Sequence, residues 1–471
     1  MIIFLTAVGA LIVGYLLYGR FVEKIFSINP QSPTPAVTKN DNVDYMVLPS
    51  WRVFLIQFLN IAGLGPVFGA ILGALYGPVA LLWIVFGSIL AGGVHDYMAG
   101  MISVRHDGQS LVPLIEKYLG SKIKILFLIF MIGFLLLLGA VFAMSPAHML
   151  ADLTSTPFVW WIIAIFAYYF LATLLPIDKI IGRFYPLFAL LLIAVSLAML
   201  IVLFVGDSAF YPNLSLTNQH PKNLPIFPLM FVTIACGAIS GFHATQSPLM
   251  ARCLANEKYG RPIFYGAMIT EGIVALIWAT LGIAFYQGSV GLNEVIENSG
   301  PGGVVQGVAQ GYLGTFGGML AIISVVLLSI TSGDTAFRSA RLTIGDYWQK
   351  NNSSIKKRLI ISIIVLSGGI AMSFFDLTTI WLYFGWSNQL LATITLWMAT
   401  FYLFRNGKFF WLTLVPAGFM TSVCITYIMF DKIGFHLPLD ISIIIGTITA
   451  ILAVIYFALS HRHKKTAVTN L

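Results

Sequence analysis

Stretches of some twenty apolar residues recur along this chain, about thirteen in all, near 2–18, 51–75, 78–98, 122–143, 158–175, 185–206, 226–246, 263–286, 316–337, 358–375, 380–404, 409–430 and 441–460. A helix needs about 20 such residues to cross the hydrocarbon core of a bilayer. The pattern therefore predicts an all-α, polytopic membrane protein. Of the 471 residues, 58% are hydrophobic and 9% charged, where a soluble domain carries about 25% charge. Soluble enzymes, nucleic-acid partners and disordered chains are excluded. The first run has no basic residue ahead of it and no small-residue cleavage site, and Arg20 and Lys24 follow it, so it reads as a retained helix.

The net charge of +8 is concentrated in alternate loops. Arg105, Lys117, Lys122 and Lys124 fill one; Lys179 and Arg183 the next; Arg252, Lys258 and Arg261 a third; Arg338, Arg341, Lys350, Lys356, Lys357 and Arg358 a fourth. Arg405 with Lys408, and the tail from His461 to Lys465, complete the set. The loops between them are nearly free of cations: 144–157 and 287–315 have none, and 207–225 has Lys222 alone. Positive loops face the cytoplasm, which puts the N-terminus outside and the C-terminus inside.

Two runs are interrupted. Asn60-Ile-Ala-Gly-Leu-Gly-Pro66 cuts the second, and Cys236-Gly-Ala-Ile-Ser-Gly-Phe-His-Ala-Thr-Gln-Ser-Pro248 the seventh. Freed backbone groups in lipid cost several kcal/mol each unless protein or water satisfies them, so such breaks persist where they line a cavity. Close helix packing is the competing reading of these glycines. It is preferred for Gly69, Gly73 and Gly77, at helical spacing. For Gly63, Gly65 and Pro66 with Asn60, and Gly237, Ser240 and Gly241 with His243, the polar neighbours point to unwound binding segments.

Each interrupted run opens a set of five spans, and the loop charges make the two sets opposite in sense. The chain divides into an N-terminal helix and loop (1–50), a first repeat (51–206), a connector (207–225), a second repeat (226–405) and two further helices with a basic tail (406–471). Broken segments at matching positions of inverted halves point to a secondary-transporter site, the five-plus-five arrangement of LeuT-like proteins. Bared N–H ends suit a carboxylate and bared C=O ends a cation. The expected partners are thus a small anionic or zwitterionic substrate, a coupling proton or sodium ion, and the lipid bilayer.

Ionisable residues inside spans need a reason. Thr331 and Ser332 read either as hydroxyls facing the carbonyls of 62–65 or as caps on internal carbonyls. Asp334 reads as a proton carrier or as the i,i+4 partner of Arg338. The His95–Asp96 pair is a proton relay or an interfacial network near the cytoplasmic boundary. His243 is a substrate contact or a structural hydrogen bond; Glu271 is a proton carrier or the partner of an arginine. Asn388 and Gln389 read first as glue between helices. Cys236, Cys253 and Cys424 are too scattered for a disulfide framework or a metal cage. No catalytic constellation, resident metal or cofactor is expected. A passive channel would show a polar stripe through several helices, and a haem enzyme would show paired midplane histidines.

With these segments assembled, the sequence resembles the carbon starvation protein A family of bacterial inner-membrane transporters. The resemblance lies in Asn60 to Pro66, Phe68 to Pro78, His95-Asp-Tyr, Ser103-Val-Arg-His106, Gly241-Phe-His-Ala-Thr-Gln-Ser-Pro248 and Ser332-Gly-Asp-Thr-Ala-Phe-Arg338. It implies uptake of peptides or pyruvate by proton symport, linked to nutrient limitation. Sodium coupling on the same fold is the alternative.

Overall fold

Among the described residues each of the thirteen apolar runs is largely helical. A computed structural model describes residues 1–174, 181–206, 215–347 and 355–468; Lys179, Lys350, the 207–214 part of the connector and the side chains of the basic tail lie outside the described ones. The spans are α1 (Ile2–Phe26), α2a (Ser50–Ala62) with α2b (Gly65–Ala74), α3 (Val79–Val104), α4 (Ser121–Thr154), α5 (Phe158–Leu174) and α6 (Ile181–Val205). They continue as α7a (Ile226–Met230 and Phe231–Thr233) with α7b (Gly241–Ala251), α8 (Glu257–Phe285), α9 (Ser289–Tyr347), α10 (Ile355–Met372), α11 (Leu377–Arg405), α12 (Trp411–Phe430) and α13 (Leu439–Val468). Eight are long and apolar enough to cross a membrane alone, and up to nine with the bent α2 pair counted as one. Among the described residues there is no strand.

Three edges differ from the hydropathy pattern. Helix α3 runs on to Val104, because His95 and Asp96 are paired inside the protein and do not end the helix. Helix α4 continues past 143 to Thr154. The polar stretch 287–315, expected as a loop, is mostly helical and joins α9 after two breaks, at Gly300 (φ 65) and Gly314 (φ 69).

Helix contacts exchange in pairs between the two sets of five. α4 lies along α9. α5 packs on α9 as α10 packs on α4, α6 on α9 as α11 on α4, and α3 on α7b as α8 on α2b. This is the contact pattern of two inverted repeats sharing one pseudo-two-fold axis. α1 leans on α8, while α12 and α13 pair with each other and α12 with α11, outside the repeats.

The cation-rich loops meet on one face and are cross-linked there. Arg105 bonds Glu257 (3.1 Å) and the carbonyl of Ser27 (2.6 Å). Arg252 bonds Asp346 (2.9 Å) and the carbonyl of Gly108 (2.7 Å). Asp44, in the segment leading into α2a, receives Arg341 (3.1 Å) and Arg338 (3.6 Å) from α9. Arg338 thus reaches Asp44 while its charge also acts on Asp334, the neighbour its spacing suggested. The cation-poor loops gather on the opposite face, through Lys222–Glu297 (2.7 Å) and Ser289 on the carbonyl of Gln219 (2.8 Å).

Burial alone would raise the Asp44 pKa, yet Arg341, Arg338 and Arg252 together hold it below the ordinary 3.8. A carboxylate held low when folded stabilises the protein above its unfolded pKa, and that contribution is lost as pH falls through the folded value. Asp44→Asn should therefore lower the melting temperature at pH 7, since stranding buried guanidinium groups costs about 3–5 kcal/mol. Melting curves in detergent should also show a shallower acid limb below pH ~4 than the parent protein.

Candidate functional site

The two breaks cross each other. α2a ends at Ala62, and Gly63 turns the chain at φ 48, a conformation that favours glycine. A Cβ there would also meet the Phe142 ring at 2.7 Å. Pro66 has no N–H to continue the ladder, and α2b resumes at 56° to α2a. In α7 the helix stops after Thr233 and restarts at Gly241, leaving 234–240 unwound. Gly65 lies against Cys236 so closely that a Cβ would stand 2.0 Å from that residue's own Cβ. Gly69 faces the carbonyl of Thr233 and Gly73 the Ile234 side chain, as close-packing glycines do. Gly77 is different: it sits at φ 81 in the turn between α2b and α3.

Neighbouring helices satisfy the bared backbone. Trp83 Nε1 donates to the carbonyl of Ile234 (3.2 Å), Ser88 to that of Gly237 (3.1 Å), and Gln389 to that of Phe231 (3.2 Å). Asn388 caps α7b from α11: its Oδ1 accepts from the Phe242 N–H (2.8 Å) and the Ser240 hydroxyl (3.0 Å). Asn388 and Gln389, expected either to line the pathway or to join helices, bond α11 to α7. One N–H of the α7b N-terminus is consequently already taken.

Four ionisable side chains, each 0% exposed, run in a chain beside the crossing: His95 and Asp96 on α3, His243 on α7b and Glu271 on α8. His95 Nδ1 lies 2.8 Å from Asp96 Oδ1, and His243 Nδ1 lies 2.9 Å from Asp96 Oδ2. An ionised carboxylate only accepts, so both imidazoles turn an Nδ1–H toward it. His243 Nε2 then faces Glu271 Oε2 at 3.4 Å. His95 and Asp96 were expected at the cytoplasmic boundary; the continuation of α3 brings them instead into the interior, against the second break. His243 hydrogen-bonds Asp96, and among the described residues the ion-pair partner of Glu271 is His243, with no arginine paired to it. Cys236, expected to be a lipid-side or core thiol and no part of a metal cage, is a buried thiol that joins them: ligand atoms of Cys236, His243 and Glu271 all lie within 4.8 Å of one another.

The α9 residues form a separate group. Ser332 lies on the carbonyls of Leu59 (3.3 Å) and Asn60 (3.4 Å), one turn before the expected 62–65. Thr331 is rotated away, its hydroxyl bonding the carbonyl of Leu328 in its own helix (3.0 Å), so the two hydroxyls do not act together on the break. Asp334 takes the hydroxyl of Tyr185 (2.5 Å), a partner on α6 that sequence spacing cannot reveal. Asn60 is fully buried, and neither polar atom of its side chain has a hydrogen-bond partner among the described residues.

A cavity of about 260 Å³ adjoins the crossing. Gly65, Cys236, Trp381, Phe384, His220 and Asp431 are among the residues that line it. At roughly 30 Å³ per water molecule, it has room for several waters or one small organic acid.

The sequence model of the family described as Carbon starvation protein CstA matches residues 1–160, 146–295 and 298–427. The chain is 25% identical over 567 residues to the peptide transporter CstA of Escherichia coli, covering 90% of this chain and 80% of that one. It is 29% identical over 351 residues to the pyruvate/proton symporter BtsT of Escherichia coli, covering 58% of this chain and 48% of that one. The crystal structure of MhsT in complex with L-phenylalanine superposes with a TM-score of 0.56 at 14% identity, over 86% of this chain and 99% of the other. That likeness is one of fold, and the fold is the LeuT-like inverted repeat.

If the crossing needs a bare backbone at position 65, Gly65→Ala should destabilise the folded protein by about 1–3 kcal/mol through overpacking. Gly9→Ala, where nothing stands within 4 Å, is the control. Thermal melts of the two variants, side by side in detergent, make the comparison.

Proposed function

Since the chain belongs to the carbon starvation protein CstA family, we propose that it is a proton-coupled symporter taking up a small carboxylate such as pyruvate, or a short peptide, across the bacterial inner membrane. Its N-terminus lies outside and its C-terminus in the cytoplasm. The observation that carries this reading is the buried chain His95–Asp96–His243–Glu271. With Asp96 drawing both Nδ1–H groups, the lone pair of His243 Nε2 opposes a carboxylate oxygen of Glu271, and two acceptors so placed call for a proton between them. Glu271 holds that proton and hands it to His243 Nε2; the imidazolium so formed is held by Asp96, whose other oxygen is braced by His95. Substrate sits at the crossing of 60–66 and 237–243, with Asn60, Gly63, Gly65, Gly237, Ser240, Gly241 and His243 around it. The unpartnered amide of Asn60 and the bared backbone supply its hydrogen bonds. Asp334 is a second proton-bearing group on α9.

Sodium coupling has one observation in its favour. Ser332 Oγ with the carbonyls of Leu59 and Asn60 gathers three oxygens at the first break, ligands that suit a hard cation. Thr331, turned to Leu328, adds no hydroxyl to them.

Uptake of labelled pyruvate and of dipeptides into proteoliposomes, under an imposed pH gradient or an imposed sodium gradient, decides between these. We expect accumulation driven by the pH gradient alone, abolished in Glu271→Gln. We also expect Gly65→Leu to insert in the membrane and transport nothing. Accumulation that follows sodium would transfer the coupling role to Ser332, and flux at channel rates without either gradient would end the symporter reading.

A further inference from the structure

Going beyond proton coupling, we propose that Cys236, His243 and Glu271 form a binding site for one soft-to-borderline divalent cation of the zinc class. The three residues come from separate places, the unwound segment, α7b and α8, yet their ligand atoms lie within 4.8 Å of one another. Metal–ligand bonds of about 2.0–2.3 Å in a tetrahedron place ligands roughly 3.3–3.8 Å apart. His243 Nε2 and Glu271 Oε2 already stand at 3.4 Å. Thiolate, imidazole and carboxylate together are a zinc-type donor set, softer than magnesium or calcium sites use.

Three further observations aim these groups at a ligand. All three side chains are buried: Cys236 is 2% exposed, His243 and Glu271 0%. His243 Nε2 and both carboxylate oxygens of Glu271 have no hydrogen-bond partner among the described residues. His243 is oriented by Asp96 through Nδ1 (2.9 Å), the carboxylate–histidine support that metal-ligating imidazoles use. Asp96 is held in turn by His95 (2.8 Å). Three protein ligands leave a fourth position for water or a carboxylate. Cys236 lines the cavity at the crossing, so that position opens where cargo would sit.

The site explains two features that proton transfer alone does not use. A thiol stands at the break, its Sγ 3.3 Å from the Ser240 hydroxyl. Gly65 brings the opposite break against that cysteine with no side chain between. Binding displaces the thiol proton to solvent, so affinity rises with pH.

Cobalt(II) alone, added to the purified full chain in detergent, is the probe. We expect one cobalt per chain, a thiolate-to-cobalt charge-transfer band, and displacement by zinc. Cys236→Ser should abolish the band, while Cys253→Ser and Cys424→Ser, whose thiols lie elsewhere, keep it. Glu271→Gln should weaken binding at least tenfold with the band retained at saturation, and Asp96→Asn should weaken it 10–100-fold. A parent protein without the band, or a band that survives Cys236→Ser, overturns the site. Should Cys236→Ser not fold, unchanged cobalt affinity in Glu271→Gln overturns it equally. The readout requires no transport, so failure of the symport reading and failure of this one remain distinguishable.

Discussion

A peptide bond stripped of its helical partner cannot be left bare in an apolar interior, and that constraint shapes the centre of this protein. Two helices unwind, so other chains must supply what the helices no longer do. Trp83, Ser88 and Gln389 give their hydrogens to the carbonyls of 231–237, and Asn388 caps the restart at Phe242. Each donor comes from α3 or α11. Those two helices are fixed in place by the same bonds that make the break possible, and with them the wall of the site.

Glycine serves the same end at the crossing. At Gly65 the absence of a side chain lets the two breaks pack so closely that a Cβ there would stand 2.0 Å from the Cβ of Cys236. At Gly92 the π turn of α3 presses on the carbonyl of Ala238, where a Cβ would stand 2.1 Å away. Close approach and polar satisfaction are one design: the backbone comes near enough for its unpaired groups to be met by side chains one layer out.

Much of this was legible in the residues. Glycine and proline inside apolar runs located both breaks, and the alternation of cations located the two faces that the structure gathers. What stayed hidden depended on rotation or on three-dimensional meeting. Ser332 and Thr331 are adjacent in sequence but about 100° apart around a helix of 3.6 residues per turn, so one reaches α2a and the other does not. Cys236, His243 and Glu271 are adjacent only after α7 and α8 pack. Hydropathy misplaced His95 and Asp96 because a window that counts polar residues as the end of a span cannot see two of them hydrogen-bonded within one. The stretch 287–315 was hidden for the opposite reason: its glycines and polar residues look like a loop, yet the chain coils between the two glycine breaks.

Asp96 belongs to the first set of five helices, whereas His243 and Glu271 belong to the second. The bridge between Asp96 and His243 therefore ties a helix of one repeat to the broken helix of the other, where α3 lies along α7b. The two repeats are thus pinned to each other by a polar contact at the place where their helices give up backbone bonds, and removing either side chain would loosen the joint at its centre.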